Sequence, residues 1–174
     1  MSTEADLASL YEAKALAELG DAEALAGVGE GGWSGDPLGV VALVVAAPLP
    51  SEAGDAVDKA TAALGVEPTT AFSIVSRPQA SKPKQLMARL RMALEAVDAP
   101  WVLALDTQAA EDVAVAFGVA PLVPGVAVRA GGRVLGSVGD FAGSLADPKA
   151  KARVWAAMRS IAAGAGLQTQ AKRP

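Results

Sequence analysis

The chain is 174 residues long and 52% apolar, with 15 basic against 19 acidic side chains for a formal charge of -4. That length builds one sizeable core, a single domain with tails. Cysteine and histidine are both absent, which excludes disulfides, thiolate nucleophiles, cysteine-held iron-sulfur clusters and imidazole bases or ligands, so any chemistry falls to carboxylates, hydroxyls, Lys, Arg or Tyr.

Residues 1–26 read as a helical segment. The helix is expected from about Glu4 to Leu19, with Leu7, Leu10, Tyr11 and Leu16 as its apolar stripe; Gly20 ends it, and Asp21 caps a short turn through Ala26. The first 36 residues hold eight acids against Lys14 alone, a net of -7 that leaves +3 for residues 37–174. A mildly basic body is thus expected, open to an anionic partner. The acidic start lacks the basic stretch and apolar run of a signal peptide, and no window holds the roughly 18 apolar residues of a membrane span, so a cytoplasmic protein is expected.

Residues 27–39, "GVGEGGWSGDPLG", read as a Gly-rich linker with Trp33 tucked against the core. Their glycines resemble a phosphate loop, but the Gly-Lys-Ser/Thr ending is missing and the stretch precedes a strand instead of following one.

The body is placed at residues 40–163. "VVALVVA" (40–46) is apolar throughout, as expected of a strand covered on both faces. A helix over 51–65 follows, with Ser51 as cap, then the strand "AFSIV" (71–75). Pro83 opens a helix to Val97 with Leu86, Met87, Leu90, Leu94 and Val97 as its stripe. "WVLAL" (101–105) is the third strand, and Asp106 or Thr107 caps a helix to Phe117. Two short apolar runs around Gly131 and Gly132 suit a hairpin or a tight strand return. Asp147 and Pro148 start a last helix with Val154, Trp155, Met158, Ile161 and Ala162 on its apolar face, and residues 164–174 form a polar tail. Alternating strands and helices predict an α/β fold in three layers, built on a mainly parallel four-stranded sheet.

In such sheets ligands bind beyond the carboxyl ends of the strands, here "AAPLPSE" (46–52), "SRPQASKP" (76–83), "DTQ" (106–108) and "GSVGDFAGS" (136–144). The order of these edges over residues 40–161 resembles the uracil-DNA glycosylase superfamily, especially its iron-sulfur-containing microbial branch. Ala47 and Pro48 keep residue types of that family's first motif, whose water-activating acid falls on Ala46. Arg77 and Pro78 keep part of the second, whose cysteine falls on Ser76 and asparagine on Phe72. Ala104 and Leu105 keep the third, with Asp106 in place of a glycine. Leu145, Asp147 and Pro148 keep the last, whose histidine falls on Asp140 and whose proline falls on Phe141. The resemblance implies an inherited scaffold with its reactive groups replaced: an ionised Asp140 opposes the negative charge on a departing base that the family's histidine offsets.

Asp106 and Asp140 are therefore the candidate catalytic residues of an altered carboxylate site, and equally ordinary turn or capping residues. Arg77, Lys82, Lys84 and Arg91 are the candidate nucleic-acid contacts. They belong to "RPQASKPKQLMARLR" (77–91), which also holds Arg89 and no acid; Lys149, Lys151, Arg153 and Arg159 form a second basic group. Both groups also suit the solvated side of a helix. No cofactor and no metal are expected. The expected function is a noncatalytic protein-interaction or assembly subunit; the alternatives are a nucleic-acid-binding protein of DNA repair or processing, and an altered DNA glycosylase. The acidic N-terminal helix is open to three roles: docking on a partner, covering the basic body, or packing on its own domain.

Overall fold

The computed structural model describes residues 4–27, 32–79 and 81–166. Its elements in chain order are α1 (Glu4–Ala26), β1 (Trp33–Gly35), β2 (Val41–Val45), α2 (Ser51–Ala63), β3 (Ala71–Val75), α3 (Leu86–Val97), β4 (Trp101–Ala104), α4 (Thr107–Phe117), β5 (Val128–Ala130), β6 (Arg133–Ser137), α5 (Phe141–Ser144) and α6 (Pro148–Gly164). Short 3-10 turns at Pro68–Thr70 and Pro83–Gln85 precede β3 and α3.

The strands form one sheet in the order β1-β3-β2-β4-β6-β5. The β3-β2, β2-β4 and β4-β6 pairs are parallel, whereas β1 pairs β3 and β5 pairs β6 in antiparallel fashion. The expectation of a four-stranded, mainly parallel sheet is therefore wrong: the sheet is six-stranded and mixed. Both additional strands are three residues long, too short to show a period of two in sequence, and their ladder bonds come from backbone groups alone. One of them, β1, lies inside the segment read as a linker.

The pleat divides the strand side chains between two cores. Ala42, Val44, Phe72, Ile74, Val102 and Leu135 face α1, α3 and α4. Val41, Leu43, Val45, Trp101, Leu103 and Val134 face α2, α5 and α6. Burial on both faces is why β2 and β4 read as unbroken apolar runs. Trp33 stacks on Phe72 with ring centroids 5.8 Å apart, so β1 closes the first core at its edge. Gly131 and Gly132, at φ 57° and 78°, make the two-residue turn that joins β5 to β6, a conformation that glycine adopts without Cβ strain.

Two helix expectations are corrected. α1 runs unbroken through Gly20 to Ala26, because Leu19, Ala22 and Ala26 continue one buried face across it, and that packing outweighs the roughly 1 kcal/mol that glycine costs in a helix. The buried stripe is also a different one: Leu7, Leu10, Tyr11 and Leu16 are all exposed, while Ala15, Leu19, Ala22 and Ala26 are buried. At α2 the cap position belongs to Pro50, with no side-chain bond, and Ser51 is the first helical residue. Among the described residues no helix is long and apolar enough to cross a membrane.

Candidate functional site

The connection from β2 to β3 runs one way along the sheet and that from β3 to β4 runs the other way. The strand order reverses between β2 and β4, and the crevice at their carboxyl ends is where an open α/β sheet binds ligands. Asp106 stands at this edge. One carboxylate oxygen accepts from Ala109 N–H at 2.7 Å, capping α4, and the other accepts from Ala46 N–H at 2.8 Å, at the end of β2. The anion that a helix N-terminus attracts is supplied by the chain itself.

Asp140 is a helix cap at the end of β6. Its carboxylate accepts from Gly143 N–H at 2.8 Å and caps α5. The two edges are tied by Phe141 N–H donating to Leu105 C=O at 2.9 Å, so both acids flank one hydrogen bond. Yet each carboxylate caps its own helix, and the second oxygen of Asp106 is taken by Ala46 N–H. An acid-base pair needs carboxylates aimed at a shared substrate atom. Asp140 also borders an open recess of about 700 Å³, where Arg153 and Ser160 are the other polar side chains besides Ser144.

The end of β3 holds a denser polar cluster around Asp112, a buried residue of α4. Arg77 donates to both its oxygens, from Nε at 2.9 Å and Nη2 at 2.7 Å. Ser76 Oγ donates at 2.7 Å and Gln108 Nε2 at 3.3 Å. The hydrogen bond to Asp112 raises the Arg77 guanidinium above its ordinary value, with burial opposing it. Ser76 is fully buried and donates to a carboxylate already engaged by arginine, so the pair clamps the β3 edge to α4 and offers no accessible nucleophile. The chain has no cysteine for an iron-sulfur cluster, and the resembled cysteine position is this buried Ser76, so the residues do not fit such a group. Among the described residues no three His, Cys, Asp or Glu side chains are grouped to hold a metal ion.

The basic candidates differ in how they are engaged. Arg77 is bound to Asp112. Arg91 pairs with Glu95 at 2.5 Å one turn along α3 and lies 4.3 Å over the Phe117 ring. Arg89 is wholly buried, donating to Glu23 of α1 at 2.6 Å and 3.1 Å and to Val75 C=O at 2.7 Å. Lys82 and Lys84 are exposed. Lys82 N–H also donates to Ala26 C=O at 2.7 Å, fastening the end of α1. Four further cations, Lys149, Lys151, Arg153 and Arg159, are exposed on α6.

Two features escaped the sequence reading. The Glu23–Arg89 pair had one signal, an arginine at the helical spacing of Leu86, Leu90 and Ala93. The other is an apolar groove of about 450 Å³ between α2 and α6, walled by Ala56, Ala60, Leu145, Ala152, Trp155 and Met158. Its walls come from helices far apart in sequence, which no local pattern reports. No family model and no curated protein matches the chain.

Proposed function

We propose that this chain is a noncatalytic protein-assembly subunit, a rigid α/β platform that engages another protein through the first half of α1. One observation carries the reading. Residues 4–14 are helical yet exposed throughout, and Leu7, Leu10 and Tyr11 stand 47%, 64% and 63% exposed. Eleven residues of helix are marginal in water without packing. An apolar cluster left this exposed on a helix marks a docking surface.

The engagement of Asp106, Asp140 and Asp112 by backbone and arginine supports a noncatalytic role. The resemblance to uracil-DNA glycosylases belongs to the same proposal, as a scaffold in which Ala46, Ser76 and Asp140 replace the groups that make such a pocket reactive. So does a cytoplasmic setting, since a chain without cysteine needs no oxidising compartment to fold. A second reading, nucleic-acid binding, is favoured by the acid-free run of Lys149, Lys151, Arg153 and Arg159 on α6.

The test is the native size of the chain in extracts of its source, before and after nuclease. A protein complex that survives nuclease and is lost in the Leu7→Asp/Leu10→Asp variant is expected. A complex that nuclease dissolves and that variant leaves intact would replace this reading with the nucleic-acid one.

A further inference from the structure

The α2/α6 groove and the exposed turns of α1 complement each other. The groove wall is apolar apart from Ser144 and Lys151, and Ser144 Oγ is already committed to Phe141 C=O at 2.7 Å. On α2 the wall is made by Ala56 and Ala60, whose methyl groups leave room for side chains from outside; of that helix's acids, Glu52, Asp55 and Asp58, none lines the groove, and Asp58 lines a separate recess. The α6 wall is cationic at its border. Lys151 lines it, and the Arg159 guanidinium lies 5.8 Å from the Trp155 ring centroid. Within Pro148–Gly164 there are four basic residues and no acid.

The first turns of α1 have the opposite character. Residues 4–14 carry Glu4, Asp6 and Glu12 against Lys14, and Lys14 is paired with Glu18 at 3.0 Å. Leu7, Leu10 and Tyr11 share one side by their i, i+3, i+4 spacing. Pairing this stripe with the same stripe of a second chain would set acids against acids. Pairing it with the groove sets acids against the cations of α6 and fills an apolar space with apolar side chains.

We propose that the groove between α2 and α6 receives the first three turns of α1 from a second copy of this chain. This rests on the assembly reading and names its partner. The contact is heterologous, stripe of one chain to groove of the next, so it closes into a small oligomer or continues as a chain according to the rotation it imposes. α1 packs on one face of the sheet and the groove lies on the other, which keeps a chain from filling its own groove without leaving α3.

The absence of native cysteine makes the test direct. The single variants Leu10→Cys and Ala152→Cys, each of full length and one carrying a mass tag, are mixed and oxidised. Both positions are exposed, and unchanged urea melts establish that the variants fold. Mixed dimers are expected to exceed either self-crosslinked dimer at least tenfold, to fall with Lys151→Glu/Arg159→Glu in the groove chain, and to recover when that chain meets Glu4→Lys/Glu12→Lys. Equal amounts of all three dimers, an excess of Leu10→Cys self-dimer, or no response to charge reversal overturns the proposal. If the native complex in extracts is lost with Leu7→Asp/Leu10→Asp while no mixed dimer forms, the assembly reading stands and the second copy is the wrong partner.

Discussion

Arg89 of α3 and Glu23 of α1 form a two-bond ion pair, with side chains 0% and 9% exposed. It fixes the second half of α1 to the body and continues through Arg89 Nη1 to the carbonyl of Val75 at the end of β3. A buried pair gains little over a well-packed apolar one, but breaking it strands a charge. Glu23→Ala is expected to lose about 3 to 5 kcal/mol in urea unfolding, and Glu23→Leu/Arg89→Met to lose clearly less. A double variant no more stable than the single one would show that the arginine does not depend on this acid.

The two edge acids should differ in structural weight. Asp106→Ala removes a helix cap and the acceptor for Ala46 N–H, and is expected to cost about 2 to 3 kcal/mol. Asp140→Ala removes only an exposed cap, for about 0.5 to 1 kcal/mol. Thermal or urea melts of the two variants check the order; equal losses would contradict the bridging role of Asp106.

The close approach of α6 to the sheet is set by Gly136. A Cβ built there would lie 2.6 Å from Ile161 Cγ2 and 2.7 Å from its Cδ1. Gly136→Ala therefore forces α6 outward and is expected to cost about 1 to 3 kcal/mol, measured by urea unfolding. Leu90→Ala, at a position with no exposure, should cost about 2 to 5 kcal/mol.

How far the sequence went depends on what each feature is made of. β2 and β4, the three Asp caps at 106, 140 and 147, and the Gly131-Gly132 turn rest on local patterns and were legible. β1 and β5 have too few residues to carry a pattern. The face of α1 differs from the expected one because leucine spacing outranks the small residues Ala15, Ala22 and Ala26, which are the buried ones. Arg77, Arg89 and Arg91 read as one basic run, yet the acids that engage them, Asp112, Glu23 and Glu95, come partly from distant segments. Sequence distance hides those partners.

Purified chain incubated with single- and double-stranded uracil DNA and then treated with alkali is expected to leave the strands intact, as is the Asp106→Ala/Asp140→Ala variant. Both carboxylates cap helices, Asp106 with its second oxygen on Ala46 N–H, and neither Ala46 nor Ser76 supplies a base or a metal ligand. Rapid strand breakage by the parent chain that disappears in the double variant would establish a carboxylate-based site instead.

Amide hydrogen exchange across α1 tests the assembly role most directly. Residues 8–14 are exposed throughout, whereas the second half of α1 packs on α3 and carries the Glu23–Arg89 pair. In dilute monomer the first group should exchange close to the unprotected rate while the second stays protected. In the native complex, with nucleic acid removed, protection should extend to residues 8–14 and retreat again in Leu7→Asp/Leu10→Asp. Full protection of residues 8–14 in the monomer, or exchange there unchanged in the complex, would contradict a docking role for this helix.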